Sequence, residues 1–394
     1  MTFSNLSELL HALRSRELQN IPGGAKVFLS AGCAGGWYFE WINENYPGIE
    51  RHFGVEAYSP QPQDLPDEVT WLSDFIYDMK SVSNNAVDLV FAGQTVEHLW
   101  PDELAGFLDE SYRVLKEEGL LVLDSPNQPV GKKLGWFHPE HTMEFSIDEI
   151  KELVTLAGFV DLRVKGIWLC YDRRRKKFLP LEPDLDQIDL DTNKRITKAK
   201  DRPEDSFIWW LEAKKSSSLQ PHQEKIRSIS QNIYDREYNR NLKRVFTQVG
   251  EFKSLGENKF IHSMENQLGV LRHGPYIPLK PGNYSTHFYI GTPIDLDDIQ
   301  LDENSSALEL KVSAVSFDRE LAVKKLQIKN FQMISDQSSH NKKMDDIVFA
   351  EYTLEFSIPE VAFGVEFIVI TFGSIEVIMK ADVDLIKLDN QKIS

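Results

Sequence analysis

Three histidines and one glycine-rich stretch are the residues best suited to chemistry in this 394-residue chain. His138 and His141 stand three apart in the segment Gly135-Trp-Phe-His-Pro-Glu-His141, and His98 follows a short apolar run. An imidazole titrates near neutrality, so each of the three could take a proton from a hydroxyl. His141 is the first choice for that base and His138 the second, while His98 also reads as a packing residue. His138, Glu140 and His141 could instead hold a divalent metal. Histidines three apart with a proline between them make an unusual ligand pair, so no metal is assigned. Trp136 and Phe137 could stack on a sugar or ring acceptor, or simply pack in the core.

The second feature is Ser30-Ala-Gly-Cys-Ala-Gly-Gly36, which follows the apolar run Val27 to Ala31. Small residues let a backbone turn tightly and approach a ligand at a helix start. Gly32, Ala34 and Gly36 are the candidate contacts, and Ser30 can hydrogen-bond. A later apolar run ends in Gly54-Val-Glu56. A carboxylate at such a strand end can accept both hydroxyl protons of a ribose. Asp74 and Phe75 could pair with an adenine amino group and cover its ring.

These residues need a frame. Val27–Ala31, His52–Ala57, Val87–Ala92 and Leu120–Asp124 read as buried strands separated by helical spacing. Pro101 opens one helix, whose apolar residues run to Leu115 and which Gly119 closes. Ser146 and Glu149 form a capping box for another, ended by Gly158. Strand, crossover and strand in this order build a parallel sheet. Val160–Cys170 and Phe207–Ala213 read as two late antiparallel strands. The basic run Arg173–Lys177 reads as a solvated loop.

Composition narrows the function. The net charge is −17, which argues against nucleic acid as the main partner, because that needs a basic footprint. Two cysteines exclude a disulfide framework and fit a reducing cytoplasm. The first 20 residues read as an amphipathic helix, and no apolar run approaches the roughly 18 residues of a membrane span. No transmembrane segment is expected.

The run Asn85-Ala-Val-Asp-Leu-Val-Phe-Ala-Gly-Gln-Thr-Val-Glu-His-Leu99 resembles the fourth-strand signature of class I S-adenosylmethionine (SAM) dependent methyltransferases. Arg113-Val-Leu-Lys and the segments after it are similar to the same family's fifth-strand region and later helix. The resemblance covers roughly residues 20 to 215. It implies an α/β fold, with a doubly wound, seven-stranded, Rossmann-like sheet carrying SAM at the strand carboxyl ends. It implies that Gly32, Ala34 and Gly36 form the turn, that Glu56 takes the ribose, and that Asp74 with Phe75 takes the adenine. Gln94 would lie beneath the methionine moiety. Two positions depart from the family, which usually has an acid at Ser30 and glycine at Ala34.

Residues 216–271 are polar and read as a helical connector. From Tyr276 the apolar period changes to two, as in Tyr284, Thr286, Phe288 and Ile290, so residues 272–394 predict an antiparallel β-sandwich. This part resembles modules attached to bacterial surface-polysaccharide enzymes, with Tyr276, Tyr284, His287 and Tyr289 as candidate glycan contacts. Three readings follow. The first is an O-methyltransferase acting on a sugar hydroxyl of a surface polysaccharide or its precursor. The second is a methyltransferase for a small metabolite, with the β-domain making a homodimer. The third is a non-catalytic scaffold.

Overall fold

The computed structural model describes residues 5–19, 21, 24–34, 39, 42, 44, 48–182, 190–293, 302–317, 319–331 and 347–388. The chain divides into two units, Met1–Glu237 and Tyr238–Ser394.

In the first unit, apolar runs too short for helices pair side by side as buried strands. β1 (Val27–Ala31) lies parallel to β2 (Arg51–Val55), and β2 to β3 (Val69–Leu72). β4 (Val87–Gly93) pairs with the other edge of β1, and β5 (Leu115–Pro126) pairs with β4. Helix α1 (Leu6–Gln19) precedes the sheet, and α2 (Pro101–Val114) crosses between β4 and β5. α2 stops at Val114, short of the expected Gly119, because Leu115 already pairs with Val87 in the sheet. α3 (Gln128–Leu134) and α4 (Ile147–Leu156) follow β5. The capping box of α4 forms: the Glu149 carboxylate accepts from the Ser146 amide at 2.8 Å.

β6 (Phe159–Leu169) comes next, then a small hairpin of β7 (Tyr171–Asp172) and β8 (Lys177–Phe178), with the basic run at its turn. After helix α5 (Leu190–Ala199), β9 (Ser206–Lys215) inserts antiparallel between β5 and β6. The sheet order is β3-β2-β1-β4-β5-β9-β6. Chain order reverses between β1 and β4, so a crevice opens at their carboxyl ends, where ligands of open α/β sheets bind. Leu29, Val90 and Leu121 from the strands pack with Leu104 and Leu108 of α2 in one buried cluster.

Helix α6 (Gln223–Leu242) runs through the unit boundary. The expected helical connector is helical only this far. β10 (Glu251–Leu255), β11 (Asn258–Ser263) and β12 (Leu268–Arg272) then build sheets of the second unit. Their apolar residues are few, so sequence alone reads them as linker. For example, every residue of β10 is at least partly exposed.

The second unit holds two antiparallel sheets. One joins β10 and β11 to β14 (Gly282–Gly291), β17 (Ala350–Ile358), β19 (Val377–Lys380) and β20 (Asp384–Leu388). The other joins β12 to β13 (Pro275–Leu279), β15 (Ser306–Ala314), β16 (Arg319–Gln327) and β18 (Ala362–Phe372). Tyr284, Phe288 and Ile290 of the first share one cluster with Leu308, Leu310, Val365 and Phe367 of the second. Tyr284 is therefore core, which removes it from the expected glycan contacts. His287 and Tyr289 alternate onto the more open face, as a period of two requires.

Candidate active site

The chain turns at Gly32 directly after β1, with a φ of +65°. A Cβ there would lie 2.4 Å from Thr95 Cγ2, so glycine is required on two counts. Thr95 follows β4, and its hydroxyl donates to the Gly93 carbonyl at 3.2 Å. The turns after β1 and β4 therefore meet at one side chain, at the switch point of the sheet.

Around this point the expected cofactor residues separate. Glu56 stands at the carboxyl end of β2 and is buried. One of its oxygens accepts from the Tyr58 amide at 2.7 Å and the Ser59 amide at 3.1 Å, which fixes the carboxylate in place. Phe75 is exposed, stacks on Tyr77 at 5.0 Å and meets Tyr58 edge-on at 5.6 Å. The three rings make an aromatic patch next to Glu56. Tyr58 was not picked out from sequence, although an aromatic two residues beyond the strand-end acid was a usable signal. Asp74 uses one carboxylate oxygen to close its own loop, accepting from the Ser81 amide at 2.8 Å. Ala34 is exposed, and Gly36 lies outside the described residues.

Ser30 is a correction. Its hydroxyl is fully buried and lies 2.8 Å from His52 Nε2 inside the sheet, so it does not face the turn. Gln94, at φ +54°, donates its amide to Asp124 Oδ1 at 2.7 Å. Asp124 is fully buried at the end of β5 and also accepts from the Arg14 guanidinium at 2.9 and 3.0 Å. Arg14 and Asp124 escaped the sequence reading because an ion pair between positions so far apart leaves no local pattern. An acid closing an apolar run, as in Glu56, was the one signal for Asp124.

The histidines gather. The 3-10 turn Val96–His98 follows Thr95. The backbone carbonyl of Glu97 accepts from the amides of Thr142 and Met143, at 2.9 and 3.1 Å, and from the Thr142 hydroxyl at 2.9 Å. These bonds bring the loop of His138 and His141 onto His98. Ring centroids of His138 and His141 are 4.5 Å apart, of His98 and His141 4.8 Å, and of His98 and His138 6.0 Å. Trp136 stands 5.5 Å from His141 and packs edge-on against Phe207, so it is a wall of this cluster.

Burial sets the protonation of all three rings. It pushes His98 down to about 3, with help from the neighbouring His141. It pushes His141 well below the usual range, helped by His138. It lowers His138 as well, partly offset by Glu140 and Glu144. All three are neutral at pH 7, so each ring keeps one nitrogen lone pair. His141 is buried while His138 is only half-buried, so His138 is the more accessible imidazole. That reverses the order expected from sequence.

Glu97 also belongs here, although the sequence reading used it only as part of a signature. Its carboxyl is fully buried and pushed up to about 8, first by burial and then by the charge of Asp124. The metal set expected as an alternative also changes. Ligand atoms of Glu97, His98 and His141 lie within 4.8 Å of one another. Glu140 turns its backbone carbonyl, not its carboxylate, toward His98 Nδ1 at 3.1 Å.

Comparison with known proteins agrees with this geometry. Residues 29–123 match the family model described as a methyltransferase domain. A probable SAM-dependent methyltransferase of Mycobacterium tuberculosis is 38% identical over 86 residues, covering 21% of this chain and 30% of that protein. Residues 29–123 carry a methyltransferase domain similar to those of SAM-dependent methyltransferases. A second relative of the domain, from Mycolicibacterium smegmatis, is 36% identical over 77 residues, covering 19% of this chain and 29% of its own length. The match thus spans about 30% of the length of these relatives. Among solved structures, a SAM-dependent methyltransferase from Archaeoglobus fulgidus is 22% identical, covering 53% of this chain and 96% of that one, with a TM-score of 0.39. Gly32 and Glu56 both fall within the matched residues.

Proposed function

We propose that the whole chain is a SAM-dependent O-methyltransferase whose acceptor is a sugar hydroxyl of a cell-surface polysaccharide or its precursor. One observation carries the chemistry: the turn at Gly32 and the histidine cluster are joined through Thr95, three residues before His98. The methyl-donor crevice and a proton acceptor therefore share one end of the sheet.

The residues fit the cofactor. Gly32 leaves a cradle that a Cβ would fill, and Glu56 presents a fixed carboxylate for ribose hydroxyls. Phe75 and Tyr58 offer ring faces for an adenine. SAM supplies a methyl group on a sulfonium centre. The chain's own task is to hold the acceptor in line and take its proton, because positioning contributes most when charge is lost along the reaction. His138 is the accessible imidazole for that proton, and Trp136, packed beside His141, would bear on a sugar face.

The β-unit supports the sugar assignment. His287 and Tyr289 lie on its open face beside carboxylates, with the Tyr289 hydroxyl donating to Asp384 at 2.6 Å. Such aromatic and acidic pairs suit glycan hydroxyls, and we read the two sheets as a carbohydrate-binding β-sandwich. No helix among the described residues is long and apolar enough to cross a membrane. Both cysteines are free and buried, which fits cytoplasmic work on a precursor.

The test is calorimetry of SAM with the full chain, followed by methyl transfer to glycans of differing hydroxyl pattern. Saturable SAM binding with transfer to a sugar oxygen is expected. Absent SAM binding would overturn the enzyme reading, and transfer only to small non-sugar acceptors would overturn the substrate class.

A further inference from the structure

We propose that Glu97, His98 and His141 form a binding site for a divalent transition metal beside the methyl-donor crevice.

Glu97 makes the strongest case. Its side chain is fully buried, and among the described residues neither carboxylate oxygen finds a hydrogen-bond partner. A buried carboxyl in such a place is either neutral or bound to a cation, and the two imidazoles beside it supply further ligands for a cation. It is also aimed at ligands: its oxygen and one nitrogen from each of His98 and His141 lie within 4.8 Å of one another. Ligands around a tetrahedral ion with bonds near 2.1 Å stand about 3.4 Å apart. A shift of about 1 Å in side chains would therefore close the set.

The surroundings of both imidazoles fit the same role. His98 Nδ1 faces the Glu140 carbonyl at 3.1 Å, and His141 Nδ1 faces a Glu144 carboxylate oxygen at 3.4 Å. A ring that donates Nδ1–H to an oxygen keeps its Nε2 lone pair for an ion, and such outer oxygens orient metal-binding histidines generally. The two loops that carry the ligands are held together by the three bonds to the Glu97 carbonyl. The backbone of both loops is thus held in place, and only a side-chain shift is left to close the set.

Ligand chemistry narrows the ion. Two imidazoles and one carboxylate suit zinc, iron, cobalt or manganese, while magnesium and calcium prefer all-oxygen sets. Three protein ligands leave an open coordination position. That position would bind and acidify an acceptor hydroxyl, with His138 stacked alongside to receive the proton. This role rests on the proposed function; metal binding itself does not.

The test uses the full chain, stripped with a chelator and titrated with Co(II) and Zn(II). Cobalt is followed by its visible absorption, zinc by calorimetry, and SAM binding is measured in parallel. One equivalent of each metal is expected to bind, with Mg(II) far weaker. Glu97→Gln and His141→Ala should each abolish the cobalt spectrum. Glu144→Ala, which spares the ligands, should weaken binding about tenfold to a hundredfold. His222→Ala, outside the cluster, should leave binding unchanged. Retained SAM affinity shows that a variant is folded. Cobalt that fails to bind a protein still able to bind SAM would overturn the site, as would binding unaltered in the Glu97→Gln and His141→Ala proteins. If metal binds as described but no sugar is methylated, the site stands and the substrate reading falls.

Discussion

Ser30 Oγ lies 2.8 Å from His52 Nε2 in the buried space between β1 and β2. The ring sits edge-on to Phe28 and Phe39, at 5.0 and 4.9 Å, and its Nδ1 has no hydrogen-bond partner among the described residues. Burial holds this histidine neutral and pushes it down to about 3. The pair holds Ser30 in the buried interior, away from the turn at Gly32.

The pH dependence of stability follows from that neutral ring. Its folded pKa lies below the unfolded value of about 6.5, so acid favours the unfolded chain. The contribution is complete above about pH 6.5 and falls with acidification toward pH 3, by up to about 1.4 kcal/mol per pH unit. Urea melts at pH 7.5 and pH 5 should show a steeper acid loss in the native chain than in the Ser30→Ala, His52→Leu double variant. Equal losses would show that His52 is protonated without penalty.

Arg14→Ala should be strongly destabilising. Among the described residues it leaves Asp124 buried with the Gln94 amide as its remaining side-chain hydrogen bond. Removing one side of a buried pair costs about 3–5 kcal/mol, and the Gln94 bond places this case toward the lower end. Denaturant midpoints measure it directly. A loss below about 1 kcal/mol, as for exposed pairs, would mean that water reaches Asp124.

Gly32→Ala should weaken SAM binding at least about tenfold, since the new Cβ forces the turn open and the positive φ strains any L residue. Thr95→Ala in the same chain removes the two nearest atoms, at 2.4 and 2.9 Å. It should restore part of the affinity measured by calorimetry. An unchanged affinity in the single variant would place the cofactor away from this turn.

His138→Ala should lower kcat about a hundredfold with SAM affinity intact, the usual contribution of a positioned general base. Single-turnover rates with saturating SAM separate this from product release. Undiminished turnover would remove His138 from proton transfer.

Much of the first unit was readable from the chain alone. Short apolar runs separated by helical spacing announced β1, β2, β4 and β5. The Ser146–Glu149 box marked the start of α4, because capping is a local interaction between residues three apart. Gly32 and Glu56 were identifiable for the same reason, since a tight turn and a strand-end acid are features of a few consecutive residues. β3 and β10 to β12 were missed because each is held by hydrogen bonding to a neighbouring strand, which leaves no local signature, and β10 is largely exposed.

What only the tertiary structure decided is which distant residues meet. Sequence placed His98 and His141 in separate motifs, and folding sets their rings 4.8 Å apart with Glu97 beside them. It paired Arg14 with Asp124, and it turned Ser30 inward to His52 and away from a ligand. Sequence determined the local conformations, because these depend on side chains within one turn or strand. The charges, protonation states and groupings of the site depend on burial and on contacts across the sheet, and those exist only once the chain has closed on itself.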